Sequence, residues 1–166
     1  SVPGVVARTR QDYAQDDQIS IRGFGSRAQF GLVGIRMYID GIPATLPDGQ
    51  GASTAFNLDT ADRIEVLRGP FSALYGNSSG GVIQIFTADG AKPGRLTLRT
   101  MGGSYGTYRA SLQERGTSDT VSYDIGITHF STDGYRAYSH ARRDLANGKW
   151  TFDLSPTNRL DFLGNF

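Results

Sequence analysis

The 166-residue sequence contains no cysteine, which excludes disulfides and thiolate metal sites and leaves the redox compartment open. It also lacks any run approaching the roughly 18 consecutive apolar residues of a membrane-spanning helix, and hydrophobic residues make up only 38%. A helical membrane protein is thereby excluded. A β-barrel is not, because its strands alternate and leave no hydropathy peak. Bulk charge is missing too: a formal net charge of +1 gives no support for binding nucleic acid by phosphate neutralisation. Lysine is scarce. Of the 17 basic residues all but Lys92 and Lys149 are Arg, a skew that suits bidentate pairing with carboxylates and that lineage bias would equally produce. No leader precedes Ser1-Val2-Pro3-Gly4, so the expectation is one already removed or a sequence that starts late.

Glycine is what the sequence has in excess, with 22 residues, as tight turns, bulges and close backbone approaches require. The pattern changes near residue 90. Before it, short apolar runs are separated by irregular, glycine-rich stretches; strands are predicted at Gly4–Arg10, Gln18–Arg22, Arg36–Ile39, Arg63–Leu67 and Gly81–Thr87. Asp40-Gly41 marks a tight hairpin turn. Pro70 and Gly76 bracket one short helix, at its first position and just past its end. Mixed strands with short helices indicate a small α+β domain over residues 1–90.

After the linker Asp89–Gly94, five segments alternate with period two. Leu96 and Leu98 oppose Arg95, Thr97 and Arg99. Tyr108, Ala110 and Leu112 oppose Arg109, Ser111 and Gln113. Val121, Tyr123, Ile125 and Ile127 oppose Ser122, Asp124 and Thr128. Trp150, Phe152 and Leu154 oppose Thr151 and Asp153, and Leu160 and Phe162 oppose Arg159 and Asp161. A soluble sandwich would also alternate. Two features favour a membrane barrel: aromatics recur on the apolar face, and short turns (Gly116–Asp119, Ser155–Thr157) alternate with a long polar loop expected over Ser131–Gly148. The short first hairpin, at Gly102–Ser104, is the exception. Five strands over residues 91–166 cannot close a barrel, so a fragment is expected. On this reading Ile125→Arg is costly, and Thr128→Arg, on the opposite face, is mild.

No constellation for catalysis or a metal emerges. Gly102–Gly106 matches G-x-S-x-G, but an alternating strand follows it where a nucleophile elbow needs a helix. GNSSGG has no Lys-Ser/Thr after it and is no phosphate loop. His129 and His140 lie apart, and Asp12, Asp16 and Asp17 lack calcium-loop spacing. The protein is expected not to be an enzyme, with no cofactor.

The motifs point elsewhere. SIRGFGSR (Ser20–Arg27), RMYIDGIP (Arg36–Pro43) and ADRIEVLRGPFSALYGNSSGGVIQIFT (Ala61–Thr87) resemble, in order and spacing, the plug of TonB-dependent outer-membrane receptors. GSYGTYRASL (Gly103–Leu112) and DGYRAYS (Asp133–Ser139) are similar to the first barrel hairpin and second outer loop. The run from Arg27 to Gly51 is most like a branch associated with pyrroloquinoline quinone. The resemblance implies a plug followed by the first strands of a transport barrel in the bacterial outer membrane. The energy-coupling box, the opening strand of the plug and most of the barrel are then absent from these residues.

The resemblance further implies the partners: the inner-membrane TonB complex, membrane lipid, and a scarce small molecule such as a siderophore, cobalamin or a quinone cofactor, with no nucleic acid. Apical loops Phe24–Gly34 and Ala44–Phe56, tipped by Arg27, Gln29, Phe30, Asp48 and Gln50, are the candidate ligand surface; solvated turn chemistry is the alternative for each. Glu65 and Arg68, charges among apolar neighbours, should be paired. By the resemblance their partners are charges of the barrel wall; an ion pair inside the plug is the equal alternative. The competing function is a soluble extracellular β-rich binding or adhesion module.

Overall fold

The computed structural model describes residues 2–8, 17–28, 32–45, 51, 56–69, 72–76 and 78–166. The chain divides into two compact units, residues 1–54 with 63–86 and residues 55–62 with 87–166.

In the first unit, β1 (Val5–Arg8) pairs antiparallel with β2 (Gln18–Ile21). A four-stranded sheet follows from β3 (Ile35–Ile39), β4 (Ile42–Pro43), β5 (Ala61–Arg68) and β6 (Gly81–Thr87), in the order β4-β3-β6-β5. Strand β5 begins in the second unit and continues into the first. The turn joining β3 to β4 is Asp40-Gly41, with φ of 47° and 82°. Two successive positive φ angles match the right-handed strand twist, which is why Asp-Gly serves there. β3 runs parallel to β6, so the chain between them must cross over. It does so through β5 and the single-turn helix α1 (Ser72–Tyr75), which Gly76 ends at φ 75°. β6 is one of the two inner strands, and its run of Val82, Ile83 and Ile85 is buried with Ile21, Leu32, Ile35 and Met37 to form the core. A near-continuous apolar run is what a strand covered on both faces needs.

The second unit is an antiparallel meander of β7 (Arg95–Gly102), β8 (Tyr108–Thr117), β9 (Val121–Thr132), β10 (Ala141–Ser155) and β11 (Asn158–Asn165). Its polarity is inverted relative to a soluble domain. Ser111, Gln113, Asp124, Thr128, Asn147 and Thr151 are buried, while Leu96, Leu98, Ile127, Leu160 and Phe162 stand more than half exposed. Register makes this a property of whole faces: Leu98, Leu112, Ile127 and Ala146 lie in one row, and Ser111, Thr128 and Leu145 in a neighbouring row of the opposite face. At the end bearing the short turns 118–120 and 156–157, Trp150 lies between Tyr123 and Phe162 in register. The Trp150 and Phe162 rings sit 5.8 Å apart.

One connection differs from expectation. The long loop expected over Ser131–Gly148 spans only 133–140, because β9 continues to Thr132 and β10 begins at Ala141. The ladder from Ala141↔Thr132 to Asn147↔Gly126 is unbroken. Arg142, Arg143 and Asp144 are polar on both faces, so the period-two signal fades although the backbone pairing goes on.

Candidate functional site

The 3-10 turn Leu58–Thr60 lies inside the stretch expected to be plug, yet clusters with the strands of the second unit. Its start is fixed locally: the Asn57 side chain accepts from the Asp59 backbone N–H at 3.2 Å, as an N-cap does. Several of its other polar groups bond the polar face of the sheet. Arg109 on β8 donates from Nη2 to Asp59 Oδ2 at 2.8 Å, and Arg99 on β7 reaches the Asp59 carbonyl at 3.2 Å. The Thr128 hydroxyl on β9 shares its single proton between Asp59 Oδ2, at 2.9 Å, and Asn57 Oδ1, at 3.0 Å. Asn147 on β10 donates to Thr60 Oγ1 at 2.5 Å, and that hydroxyl donates in turn to the Asn57 carbonyl at 2.9 Å. Four neighbouring strands thus hold one turn.

Gly126 on β9 is what lets the turn approach. A Cβ there would collide with Thr60 Cγ2, so the close passage of the turn over the strand requires glycine. The Asp59 carboxyl is shaped by the same contacts. Burial by itself would raise it, but hydrogen bonds from Thr128 and Ser111 and the Arg109 guanidinium outweigh that and hold it below the ordinary carboxylate value. Further along the polar face, Gln113 donates to both oxygens of buried Asp124, at 2.9 and 3.1 Å. Lys149 meets Asp89 of the linker at 3.0 Å.

The residues singled out from sequence fall in three groups. Gln29, Phe30, Asp48 and Gln50 lie outside the described residues. Arg27 is exposed at the end of a turn braced by Gln18, whose side-chain amide reaches the Ser26 carbonyl at 2.6 Å. Glu65 Oε1 accepts from Arg63 Nε at 2.8 Å with both side chains about half exposed, and Arg68 donates to the Pro3 carbonyl at 2.7 Å. The sequence missed Asn57, Asp59, Thr60 and Gly126. Asn-Leu-Asp-Thr reads as an ordinary helix cap, and its partners lie far along the chain. Thr128 was placed on the tolerant face; instead it is buried and bonded, so Thr128→Arg cannot be mild.

A second cluster sits where the loops 103–107 and 133–140 meet. The Asp133 N–H donates to the Tyr105 carbonyl at 2.9 Å, and the Thr107 and Thr132 hydroxyls bond at 2.9 Å. The Tyr105 and Tyr135 rings are 6.2 Å apart, and the Arg136 guanidinium lies 5.0 Å from the Tyr135 ring centre. His129 Nδ1 meets Asp144 at 2.5 Å on the apolar face, with Arg142 at 3.2 Å from the same carboxylate. Among the described residues no group of side chains is arranged to hold a metal ion.

Residues 1–82 match the family model "TonB-dependent Receptor Plug Domain". The chain is 29% identical over 150 residues to the hemin receptor of Yersinia enterocolitica, covering 89% of this chain and 20% of that protein. It is 40% identical over 90 residues to the iron-regulated outer membrane virulence protein of Vibrio cholerae, covering 52% of this chain and 13% of that protein. The fold is similar to the ferric yersiniabactin uptake receptor of Yersinia pestis, with a TM-score of 0.70, 22% identity, and coverage of 99% of this chain and 27% of that one. The chain therefore spans about a fifth or less of the curated relatives it matches.

Proposed function

We propose, from the premise that residues 1–82 belong to the plug family of TonB-dependent receptors and that the strands after them are outer-membrane wall, that the protein takes up a scarce small molecule across the outer membrane. The observation that carries this reading is the inverted sheet holding a plug-region turn on its polar face. A lipid-facing wall needs its apolar side outward and its polar side toward a filled lumen. A soluble adhesion module would bury Leu98, Ile127 and Phe162 and leave Gln113 and Asp124 wet, the opposite of what is seen.

The work of such a plug is to seal and yet to yield. Contacts at Asn57, Asp59 and Thr60 are polar and individually modest, about 0.5–3 kcal/mol each, and they can be exchanged for water one by one as a dry apolar interface cannot. Force on the plug is supplied by the inner-membrane TonB complex. Glu65 and Arg68 are proposed as further plug charges that meet lumenal charges, and Arg27, Gln29, Phe30, Asp48 and Gln50 as apical contacts for the substrate. Transport needs no nucleophile or general base.

The names of the relatives point to hemin and metal chelates as the first substrates to try. The test is uptake of labelled hemin and ferric chelates by cells carrying the full-length receptor, with TonB intact or removed. Uptake should vanish without TonB or with a protonophore. Uptake indifferent to both would sink the reading.

A further inference from the structure

Three ionisable side chains gather on the outward, apolar face of the second unit, where a lipid-facing wall has no need of them. His129 on β9 and Asp144 on β10 are partners in register, and Arg142 lies one row nearer the loops, in line with Tyr108 and Ser131. His129 and Asp144 each stand three residues from the strand ends at Thr132 and Ala141. At about 3.4 Å per residue and a tilt near 40°, that is about 8 Å inside the ends of the strands. Ionisable groups at such a depth are costly, and they mark function more often than architecture. The cluster is satisfied on one side only. Asp144 accepts on one oxygen from Arg142 Nε, at 3.2 Å, while the other meets His129 Nδ1 at 2.5 Å. Among the described residues, the two terminal nitrogens of Arg142 and Nε2 of His129 have no protein partner. Beside the cluster, toward the middle of the strands, lies a groove of about 450 Å³. Ala110 and Ala146 are too small to fill it. Leu98, Leu112, Ile127 and Phe166 line it, and His129 and Asp144 close its loop end.

We propose that the groove and the Arg142–Asp144–His129 cluster hold one phosphorylated lipid of the outer leaflet, its phosphate at Arg142 and His129 and an acyl chain in the groove. Charge at the loop end and apolar surface toward the bilayer centre is the polarity of such a lipid. Asp144 is the positioning residue: by taking Arg142 Nε and His129 Nδ1 it fixes both cationic side chains and leaves their outer nitrogens to the ligand. A planar guanidinium held in this way suits bidentate contact with a phosphate. The inference rests on the reading of these strands as outer-membrane wall and is independent of which molecule is taken up.

The test uses the full-length receptor in detergent micelles, with bound lipid counted by native mass spectrometry and dioctanoyl phosphatidate as the probe. Dioctanoylglycerol, which lacks the phosphate, and glycerophosphate, which lacks the chains, serve as controls. Phosphatidate should bind at least about tenfold more tightly than either. Arg142→Gln, which removes the charge, and Ala146→Phe, which fills the groove, should each weaken it about tenfold. Arg143→Gln makes the same change of charge on the opposite face and should bind as the native receptor does. Heat-modifiable migration on gels checks that each variant has folded, and the outward position of Arg142 makes its replacement the safer of the two. No binding of phosphatidate, binding no tighter than that of either control, or native affinity in both Arg142→Gln and Ala146→Phe would overturn the site. A loss in Arg143→Gln equal to that in Arg142→Gln would overturn it too, by reducing the effect to bulk charge. TonB-independent uptake would sink the transport reading and leave this lipid result standing, so the two failures are distinguishable.

Discussion

Asp59 concentrates the chemistry of the plug-region turn in one carboxyl. It accepts from Arg109 and Thr128 while its backbone carbonyl accepts from Arg99. Its pKa is lowered in the fold. A depressed carboxyl contributes stability that is fully present above its unfolded value, about 3.9, and is lost as pH falls through the lowered folded value. Hydrogen-exchange protection of the Asp59 and Thr60 amides should therefore be flat from neutral pH to about 4.5 and drop below 4; Asp59→Asn should abolish that step. Protection with the same acid dependence in the Asn variant would show that another group titrates. Gly126 gives a second residue-scale prediction. Gly126→Ala should cost about 1–3 kcal/mol through overpacking against Thr60, read as weakened protection of the turn in the same experiment. Adding Thr60→Ser removes Cγ2 but keeps the hydroxyl that Asn147 meets, so the double variant should recover most of the loss. Failure of the rescue would place the clash elsewhere.

The strands of the second unit, the first half of β10 apart, carry the same rule, polar toward the covered face and apolar outward, and this rule was legible because it is written with period two in β7, β8, β9 and β11. It was least legible in the first half of β10. Arg142 and Asp144 share the outward face with Ala146, while Arg143 and Leu145 share the other with Asn147, so neither polarity alternates and the strand read as loop. The candidate site was harder still. Arg109, Gln113 and Asp124 were placed on the polar face by alternation, but nothing in the sequence says which chain segment covers that face, because Asp59–Arg109 and Thr60–Asn147 are long-range pairs. Sidedness yields a prediction at this scale. Ile125→Arg should destabilise the inserted receptor by roughly 2–4 kcal/mol at the bilayer midplane. Thr97→Arg, on the polar face opposite Gln113, should cost less than about 1 kcal/mol, because Thr97 is only partly buried and water reaches it. Reversible unfolding in detergent or lipid measures both, and equal losses would refute the assignment of faces.

On the scale of the whole molecule, the turn 57–60 is covalently part of the plug sequence but energetically part of the wall. On the proposed reading that arrangement makes the seal a graded one: the contacts of Asn57, Asp59 and Thr60 with β7 to β10 must break for this turn to leave the wall, whatever happens to the rest of residues 1–86. The proposal about Glu65 can be weighed against it in one experiment. Glu65 pairs with Arg63 at about half exposure, and an exposed pair of that kind is worth about 0–1 kcal/mol. Asp59 is four-fifths buried on its side chain, and its loss leaves Arg109 without a partner carboxylate at 2.8 Å and Thr128 without one of its two acceptors. In cells carrying the full-length receptor with TonB removed, passive entry of a large antibiotic reports the seal alone. Asp59→Ala should raise susceptibility several-fold, Glu65→Ala less, and the double variant about as the product of the two, since separate contacts contribute independently. A larger effect from Glu65→Ala would mean that a lumenal charge covers it and carries the seal. Native susceptibility in Asp59→Ala would mean that the turn stays in place without its carboxylate, and that the lock is the fit of Thr60 over Gly126 rather than the charge.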